Sequence, residues 1–599
     1  MRCFAGIGWS LTVCAGLCLA GSVGLEELEL EHIVQGWGMP VANQTIVNKP
    51  LTMDGVVYER GLGSHAPGVI RLELDGSVQR FSAVVGVDDE TDGKGSVSFR
   101  AYADGNRVFD SGVLKGGDAP REVELELDGV KRLVLLMLSG ADGKDFDHAD
   151  WARATFSYSG RRPRIVAAPE EQKVVLTPPA PESPRINGPS IYGVRPGRPF
   201  LYRIPCTGER PMEFSAEELP EGLSLDTESG IVRGTIIDPG HRTHTVRLVA
   251  RNAHGRDRRE FRIVVGDTLA LTPPMGWNSW YIHYNRVSDV DMRAAAAAMI
   301  ESGMADYGYQ YVNIDDCWMK KQGDEPYRDK EGAALPNAKF PDMKGMVDYI
   351  HSLGLKAGLY TSPGPWTCAR YVGAYQHEKA EVDRYVAWEF DFLKYDWCSY
   401  GRVAAGSGRD KYTKPYVLMG NLLKQAPRDV LLNLCQYGMG NVWEWGREVG
   451  GHCSRTTGDL GLHRGGALPG FYHIGLSNAA HHEYAGPGYW NDPDYILIGW
   501  VGAAHGMGEG KPTTLTGNEQ YSYMSMWCLM AAPLIFSGDM TKLDPFTLNV
   551  LCNREVIDVD QDPLGRQARI VRHDDESLVM LKPMQDGSLA LGLFNLAEM

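Results

Sequence analysis

The stretch Phe390–Cys398 reads FDFLKYDWC and bears on both the fold class and the chemistry of the chain. The apolar side chains of Phe390, Phe392 and Tyr395 predict a short buried β-strand. Lys394 and Asp396 lie two residues apart, so on a strand they point to the same side. Two interpretations are open: a structural ion pair, or a carboxylate that a neighbouring ammonium group keeps ionised, as a nucleophile requires.

A second segment, Cys453–Asp459 (CSRTTGD), places Arg455 four residues before Asp459 in a turn rich in Gly and Thr. Two aspartates delivered from two loops of one fold are the minimum equipment for glycoside hydrolysis. With these residues the sequence resembles glycoside hydrolase family 27, the α-galactosidase family. The nucleophile motif of that family, Lys-aromatic-Asp-x-Cys, stands here as KYDWC, and its acid/base motif, Arg-x-x-x-Asp, stands here as RTTGD.

The resemblance implies a retaining mechanism in which Asp396 is the nucleophile and Asp459 is the acid/base. Retention requires two carboxyl groups about 5–5.5 Å apart. Lys394 is expected to favour the ionised form of Asp396, and the charge of Asp396 to raise the pKa of Asp459.

Asp315 and Asp316 end the second predicted strand, in NIDDCW. Two adjacent acids at such a position indicate a ligand. A metal is one candidate, but His or Cys partners at metal-ligand spacing are missing. The resemblance implies instead that both accept hydrogen bonds from O4 and O6 of galactose, with Trp280 packed on the apolar face of the sugar near C6.

Further sugar-contacting positions follow from the resemblance: Tyr360, Cys368, Lys394, Cys435, Tyr437, Arg455 and Asp494. For Arg455 the alternative is a salt bridge to Asp459. Cys368 and Cys398 match a disulfide of the family beside the nucleophile. Cys317 matches a cysteine of another family disulfide, but its partner position holds no Cys, so a free buried thiol is expected.

The end of the fifth strand departs from the family pattern. Many members have Cys-Glu-Trp there, whereas this chain has Cys435-Gln436-Tyr437. The segment meets the 2-position of the sugar in the family. Bulky Gln436 and Tyr437 therefore disfavour an acetamido group at that position.

Strand-like and helical segments alternate from Thr268 onward, which is typical of βα units. Eight such strands predict a (β/α)8 TIM barrel over residues 268–560, with the active site at the carboxyl ends of its strands. Residues 561–599 are expected to be part of an antiparallel β domain.

The first part of the chain reads as all-β. Residues 25–160 alternate apolar and polar runs between Gly/Asp turns, which predicts a β-sandwich. The phrases GLGSHAP, GVDDE and DHADWA resemble the NPCBM module, which implies carbohydrate binding. The Pro-rich segment 161–187 is predicted to be a linker, and residues 188–267 resemble an Ig-like domain with no chemistry of its own.

The net charge of the chain limits the classes of ligand that it can bind. The formal net charge of -16 argues against nucleic acid and anionic membrane as partners and suits a neutral, galactose-containing oligo- or polysaccharide. No cofactor and no metal are expected. Residues 1–24 read as a secretory signal peptide cleaved near Ala20 or Gly24, which predicts an exported protein, periplasmic or extracellular, without a membrane span.

Three functional hypotheses therefore stand beside each other. The first is an exported retaining α-galactosidase. The second keeps the enzyme class but changes the sugar, giving an α-N-acetylgalactosaminidase or a β-L-arabinopyranosidase. The third is a non-catalytic galactose-binding protein, against which the presence of both Asp396 and Asp459 argues.

Overall fold

The computed structural model describes residues 20–140, 145–169, 171–237, 240–462, 468–506, 508–574 and 576–596. The chain forms two compact units, the first made mainly of residues up to 170 and the second beginning at Glu171. The predicted signal peptide lies largely outside the described residues.

The first unit is a sandwich of two antiparallel sheets, with strand orders β11-β8-β13-β6-β3 and β10-β9-β12-β7-β14; β1 pairs with β13 and β2 with β7. Apolar side chains from both sheets, among them Phe81, Phe99 and Trp151, meet in the core. The strands are β1 Ala20–Gly24, β2 Val34–Gln35, β3 Val41–Ala42, β4 Leu51–Met53, β5 Val56–Tyr58, β6 Gly61–His65, β7 Gly68–Glu73, β8 Val78–Val87, β9 Ser96–Ala103, β10 Asn106–Lys115, β11 Arg121–Glu126, β12 Arg132–Ser139, β13 His148–Ser159 and β14 Arg164–Ile165.

Strand β1 shows that the sandwich begins before residue 25, the boundary expected from the sequence. Val23 lies opposite Phe156 of β13, and its side chain is buried in the sandwich core. At the other end, β14 pairs with β7, so the first residues of the expected linker also belong to this unit.

The rest of the expected linker is held against helices of the second unit. The Tyr521 hydroxyl donates to the Val174 carbonyl oxygen at 3.0 Å, and the Asn549 side-chain amide donates to the Thr177 carbonyl oxygen at 2.8 Å. These hydrogen bonds satisfy backbone groups that a free linker would leave to water.

The Ig-like part of the second unit contains the sheets β16-β23-β22-β19 and β17-β21-β20 and the pair β15-β18. Arg195 joins it to the barrel: its guanidinium pairs with Asp429 and donates to the Lys424 carbonyl oxygen at 2.7 Å. The strands are β15 Arg185–Ile186, β16 Ile191–Val194, β17 Pro199–Arg203, β18 Cys206–Thr207, β19 Glu213–Glu217, β20 Leu223–Leu225, β21 Ile231–Thr235, β22 Arg242–Asn252 and β23 Gly255–Val265.

The remainder of the second unit is a TIM barrel, as the alternation of elements predicts. Eight parallel strands follow the order β30-β29-β28-β27-β26-β25-β24-β33, and a parallel bridge between Ile496 and Phe536 closes the ring. The strands from β24 to β33, including the small pair β31-β32, are β24 Met275–Asn278, β25 Tyr311–Asn313, β26 Lys356–Thr361, β27 Phe392–Tyr395, β28 Leu431–Leu434, β29 Cys453–Arg455, β30 Trp490–Asp492, β31 Trp500–Val501, β32 Lys511–Pro512 and β33 Leu534–Phe536.

Helices lie between successive strands of the barrel, as in βα units. They are α1 Trp280–His283, α2 Asp289–Glu301, α3 Met343–Ser352, α4 Glu378–Ala387, α5 Gly408–Gln425, α6 Val442–Trp445, α7 Gly470–Ala479, α8 Gly517–Leu529, α9 Pro545–Leu551 and α10 Arg554–Asp560. A three-stranded antiparallel sheet follows, made of β34 Arg569–His573, β35 Ser577–Pro583 and β36 Leu589–Asn595. Within the described ranges, no helix has both the length and the apolar character needed to cross a bilayer.

Candidate active site

The quoted stretch lies on β27, and Asp396 follows directly after this strand at the carboxyl end of the barrel. Both carboxylate oxygens of Asp396 carry hydrogen bonds. Oδ1 accepts from the Trp397 backbone N–H at 2.7 Å and from the Tyr437 hydroxyl at 2.6 Å. Oδ2 accepts from the Tyr360 hydroxyl at 2.9 Å. The side chain is therefore fixed by groups from three segments of the barrel rim.

Lys394 pairs with an acid other than the one its position suggests. Its ammonium group donates to Asp315 Oδ2 at 2.9 Å, from β27 to the end of β25. Burial raises the pKa of Asp396. The positive charge of Lys394 nevertheless lowers that pKa, as do the hydrogen bonds from Tyr437, Trp397 and Tyr360. As expected, the Lys394 ammonium group favours the ionised form of Asp396. It does so through its charge alone, because its hydrogen bond is to Asp315.

Asp315, the acid of this ion pair, and the adjacent Asp316 are both buried. Asp315 Oδ2 also accepts from the Tyr495 hydroxyl at 3.2 Å. Asp316 accepts from the backbone N–H groups of Cys317 at 2.7 Å and Ala369 at 3.0 Å. Burial raises the pKa of Asp316 to about 7, so near neutral pH this carboxyl group can donate as well as accept a hydrogen bond.

Asp459 differs from Asp396 in exposure: 56% of its side-chain surface is accessible, and the residue follows β29. Arg455, which is buried, places Nη2 at 3.2 Å from both Asp459 Oδ1 and Asp494 Oδ2. The salt bridge that the sequence left as the alternative for Arg455 is therefore present. Because Asp459 remains exposed, this pairing leaves its carboxylate accessible to a ligand.

Asp494 is held by several donors. Its Oδ2 accepts from the Tyr281 hydroxyl at 2.8 Å and from the Leu460 backbone N–H at 2.9 Å. Burial raises the pKa of Asp494, and the Arg455 charge opposes that rise. Asp494 thus fixes Arg455 and the backbone directly after Asp459.

The end of the fifth strand contributes two buried residues of different character, Cys435 and Gln436. Cys435 is buried, and Arg455 Nη1 lies 3.9 Å from its sulfur. Gln436 is fully buried, and within the described part of the chain neither atom of its side-chain amide has a hydrogen-bond partner. An unpaired buried amide is costly unless a ligand pairs with it.

Cys368 and Cys398 form a disulfide, and both sulfurs lie beside the Tyr437 hydroxyl oxygen, at 3.6 and 3.9 Å. Cys317 is a buried free thiol. The cluster of Cys368, Asp396 and Cys398 has the spacing of a metal site, but disulfide sulfurs are poor metal ligands because thiolates are the binding form. We therefore assign this cluster no metal.

Trp280 also lies near Lys394: the Lys394 ammonium group is 5.9 Å from the centre of the Trp280 ring. Two aromatic neighbours of Trp280, Tyr284 and His505, were not predicted from the sequence, and their rings pack on each other at 4.3 Å. Tyr281 and Tyr495, which bind Asp494 and Asp315, were not predicted either. Tyr281 stands next to Trp280 and Tyr495 next to Asp494, so adjacency to strand ends was the available signal.

Comparison with known proteins identifies the barrel. The family model described as "Alpha galactosidase A" (Melibiase_2) matches residues 272–449 and 471–562. An α-galactosidase A from Cellvibrio japonicus is 36% identical over 341 residues, covering 55% of this chain and 78% of the relative. The chain belongs to the α-galactosidase family, glycoside hydrolase family 27. It is therefore a glycoside hydrolase of the α-galactosidase type.

Other relatives of this family agree. An α-galactosidase from Oryza sativa subsp. japonica is 36% identical, covering 58% of this chain and 77% of the relative. A crystal structure from Bacteroides fragilis NCTC 9343, assigned as an α-galactosidase/melibiase, has 39% identity and a TM-score of 0.64, covering 69% of this chain and 86% of that one. The NPCBM/NEW2 domain matches residues 21–157, and an Ig-domain family matches residues 183–266.

Proposed function

We propose that the protein is an exported, retaining α-galactosidase that removes terminal α-linked galactose from oligo- or polysaccharides by double displacement. The arrangement of two unlike carboxylates around Tyr437 carries the proposal. Asp396 is buried and accepts the Tyr437 hydroxyl, whereas Asp459 is exposed, and the charges of both raise the pKa of Tyr437 in addition to the effect of burial. A fixed nucleophile and a solvent-accessible acid/base are the two roles of a retaining glycosidase.

In the first step, Asp396 attacks the anomeric carbon while Asp459 protonates the leaving oxygen. This gives a galactosyl ester on Asp396. In the second step, Asp459 takes a proton from water, the water oxygen attacks the anomeric carbon, and the ester bond to Asp396 breaks. Two inversions give net retention.

Specificity for galactose is assigned to the acids around Lys394 and to Gln436. Asp315 and Asp316 would accept O4 and O6, with Trp280 against the apolar face of the sugar near C6. The unpaired amide of Gln436 fits a hydrogen bond with the 2-hydroxyl group. An acetamido group at that position would need space that the buried Gln436 side chain occupies.

We expect a panel of aryl glycosides to show this order of preference. The α-galactoside should be hydrolysed with a kcat/KM at least about 10³-fold above that of the α-glucoside, since an equatorial O4 leaves buried acceptors unpaired. The β-L-arabinopyranoside, which lacks C6, and the N-acetylgalactosaminide should react more slowly than the galactoside.

A matched variant, Gln436→Leu, tests the proposed hydrogen bond between the Gln436 amide and the 2-hydroxyl group of the sugar. The wild type should prefer the galactoside over its 2-deoxy analogue, and Gln436→Leu should lose most of that preference, because it lacks the amide. A wild type that prefers the N-acetyl sugar would contradict the specificity assignment while leaving the catalytic pair untouched.

Export is proposed from the sequence of residues 1–24. Strand β1 refines the expected cleavage point: a cut after Gly24 would remove Ala20–Gly24 from the sheet that contains β13. Expression with the native N-terminus should therefore release a mature protein that begins at Ala20 or Gly21, as N-terminal sequencing would show. Retention of residues 1–19 in protein recovered outside the cytoplasm would contradict this proposal.

A further inference from the structure

Tyr437 is held in a backbone conformation that side chains rarely adopt. Its φ is 61°, and Gly438 after it has φ 82°. A Cβ at Gly438 would lie 2.3 Å from the Thr456 carbonyl oxygen, so this turn fits tightly against the segment after β29. Strain of this kind persists only where the surroundings impose it, and it is concentrated at functional sites.

The turn points the Tyr437 hydroxyl at one oxygen of Asp396. An ionised carboxylate offers about two lone-pair sites on each oxygen. Oδ1 uses both, since it accepts from Tyr437 and from the Trp397 backbone N–H. Among the residues that the structure describes, Oδ2 accepts only the Tyr360 hydroxyl, which leaves one of its lone-pair sites free.

We propose that Tyr437 is a positioning residue of the nucleophile: its hydroxyl holds Oδ1 of Asp396 as the fixed oxygen, so that Oδ2 is the atom that attacks the anomeric carbon. This inference rests on the proposed role of Asp396. It goes beyond a sugar contact, because it gives Tyr437 a bond to the nucleophile and distinguishes the two carboxylate oxygens.

The electrostatic consequence agrees with the geometry. The hydrogen bond from Tyr437 lowers the pKa of Asp396 against the effect of burial. Loss of the hydroxyl would raise that pKa. Because the nucleophile must be ionised, activity would then be lost at a higher pH on the acidic side of the profile.

Tyr437→Phe removes only the hydroxyl and tests the proposal. With an aryl α-galactoside whose leaving group needs no protonation, we expect kcat/KM to fall about 10- to 100-fold, the range of one hydrogen bond to a charged group. The acidic limb of the pH profile should move to higher pH. Circular dichroism and the thermal midpoint report whether the variant remains folded.

Tyr489→Phe is the matched control. Tyr489 is fully buried, whereas Tyr437 is half-buried. The Tyr489 hydroxyl donates to the Val442 carbonyl oxygen at 2.9 Å and has no bond to Asp396. The acidic limb of the pH profile of Tyr489→Phe should lie at the same pH as that of the wild type. The proposal would be overturned if Tyr437→Phe kept the acidic limb of the wild type and a kcat/KM within about threefold of the wild-type value. A wild type inactive on all aryl α-glycosides would instead contradict the proposed function.

Discussion

Asp396→Ala is expected to leave less than about one hundredth of the wild-type kcat on an aryl α-galactoside, because the galactosyl ester cannot form without its carboxylate. Azide should restore turnover by occupying the space of the missing side chain. Since azide would then displace the leaving group in a single step, the product should be the β-galactosyl azide. Product analysis by NMR would identify the anomer.

Asp391→Asn is the matched control for this experiment. Asp391 belongs to the same quoted stretch and is also buried, but it lies at the opposite end of the barrel, where it pairs with His351 and Arg428. We expect a lower thermal midpoint and a kcat on the aryl galactoside close to that of the wild type. An Asp396→Ala variant that kept more than about a hundredth of its rate would contradict the assignment of the nucleophile.

Asp459→Ala should have an effect that depends on the leaving group. A good leaving group departs without a proton, so glycosylation by a dinitrophenyl galactoside should be nearly unaffected, while hydrolysis of a galactosyl oligosaccharide should fall by about 10²- to 10⁴-fold. The second step then lacks its base, so a burst of dinitrophenol should precede a slow steady state.

Azide distinguishes Asp459→Ala from Asp396→Ala. It would attack the preformed galactosyl ester, so two inversions should give the α-galactosyl azide. Equal rate losses on both substrates, or formation of the β-azide, would count against an acid/base role for Asp459. Arg455 should remain paired with Asp494 in this variant, so we expect the protein to stay folded.

The sequence predicted the barrel well because its strands carry their polar residues at one end. The eight parallel strands expected from the alternating pattern are present, and Asp315, Tyr360, Asp396 and Asp494 lie at or after the carboxyl ends of strands of this barrel. Carboxyl ends of parallel strands meet on one face, so strand order alone brought these residues together.

Partners across strands were not predictable in the same way. Spacing along β27 suggested Lys394 and Asp396 as a pair, yet Lys394 binds Asp315 two strands away, which depends on register and side-chain reach. The left-handed turn at Tyr437 and its bond to Asp396 also have no local sequence signal. The sequence contains the residues of the network, whereas tertiary geometry determines which of them are bonded.

The central claim is that a covalent galactosyl intermediate forms on Asp396. An activated 2-deoxy-2-fluoro-α-galactoside slows both steps, and its good leaving group favours accumulation of the ester. Peptide mapping by mass spectrometry after incubation should find the fluorosugar on the peptide containing Lys394-Tyr395-Asp396, and should find no adduct in Asp396→Ala. A wild-type adduct on Asp459, or hydrolysis of the natural glycoside with inversion, would contradict the account.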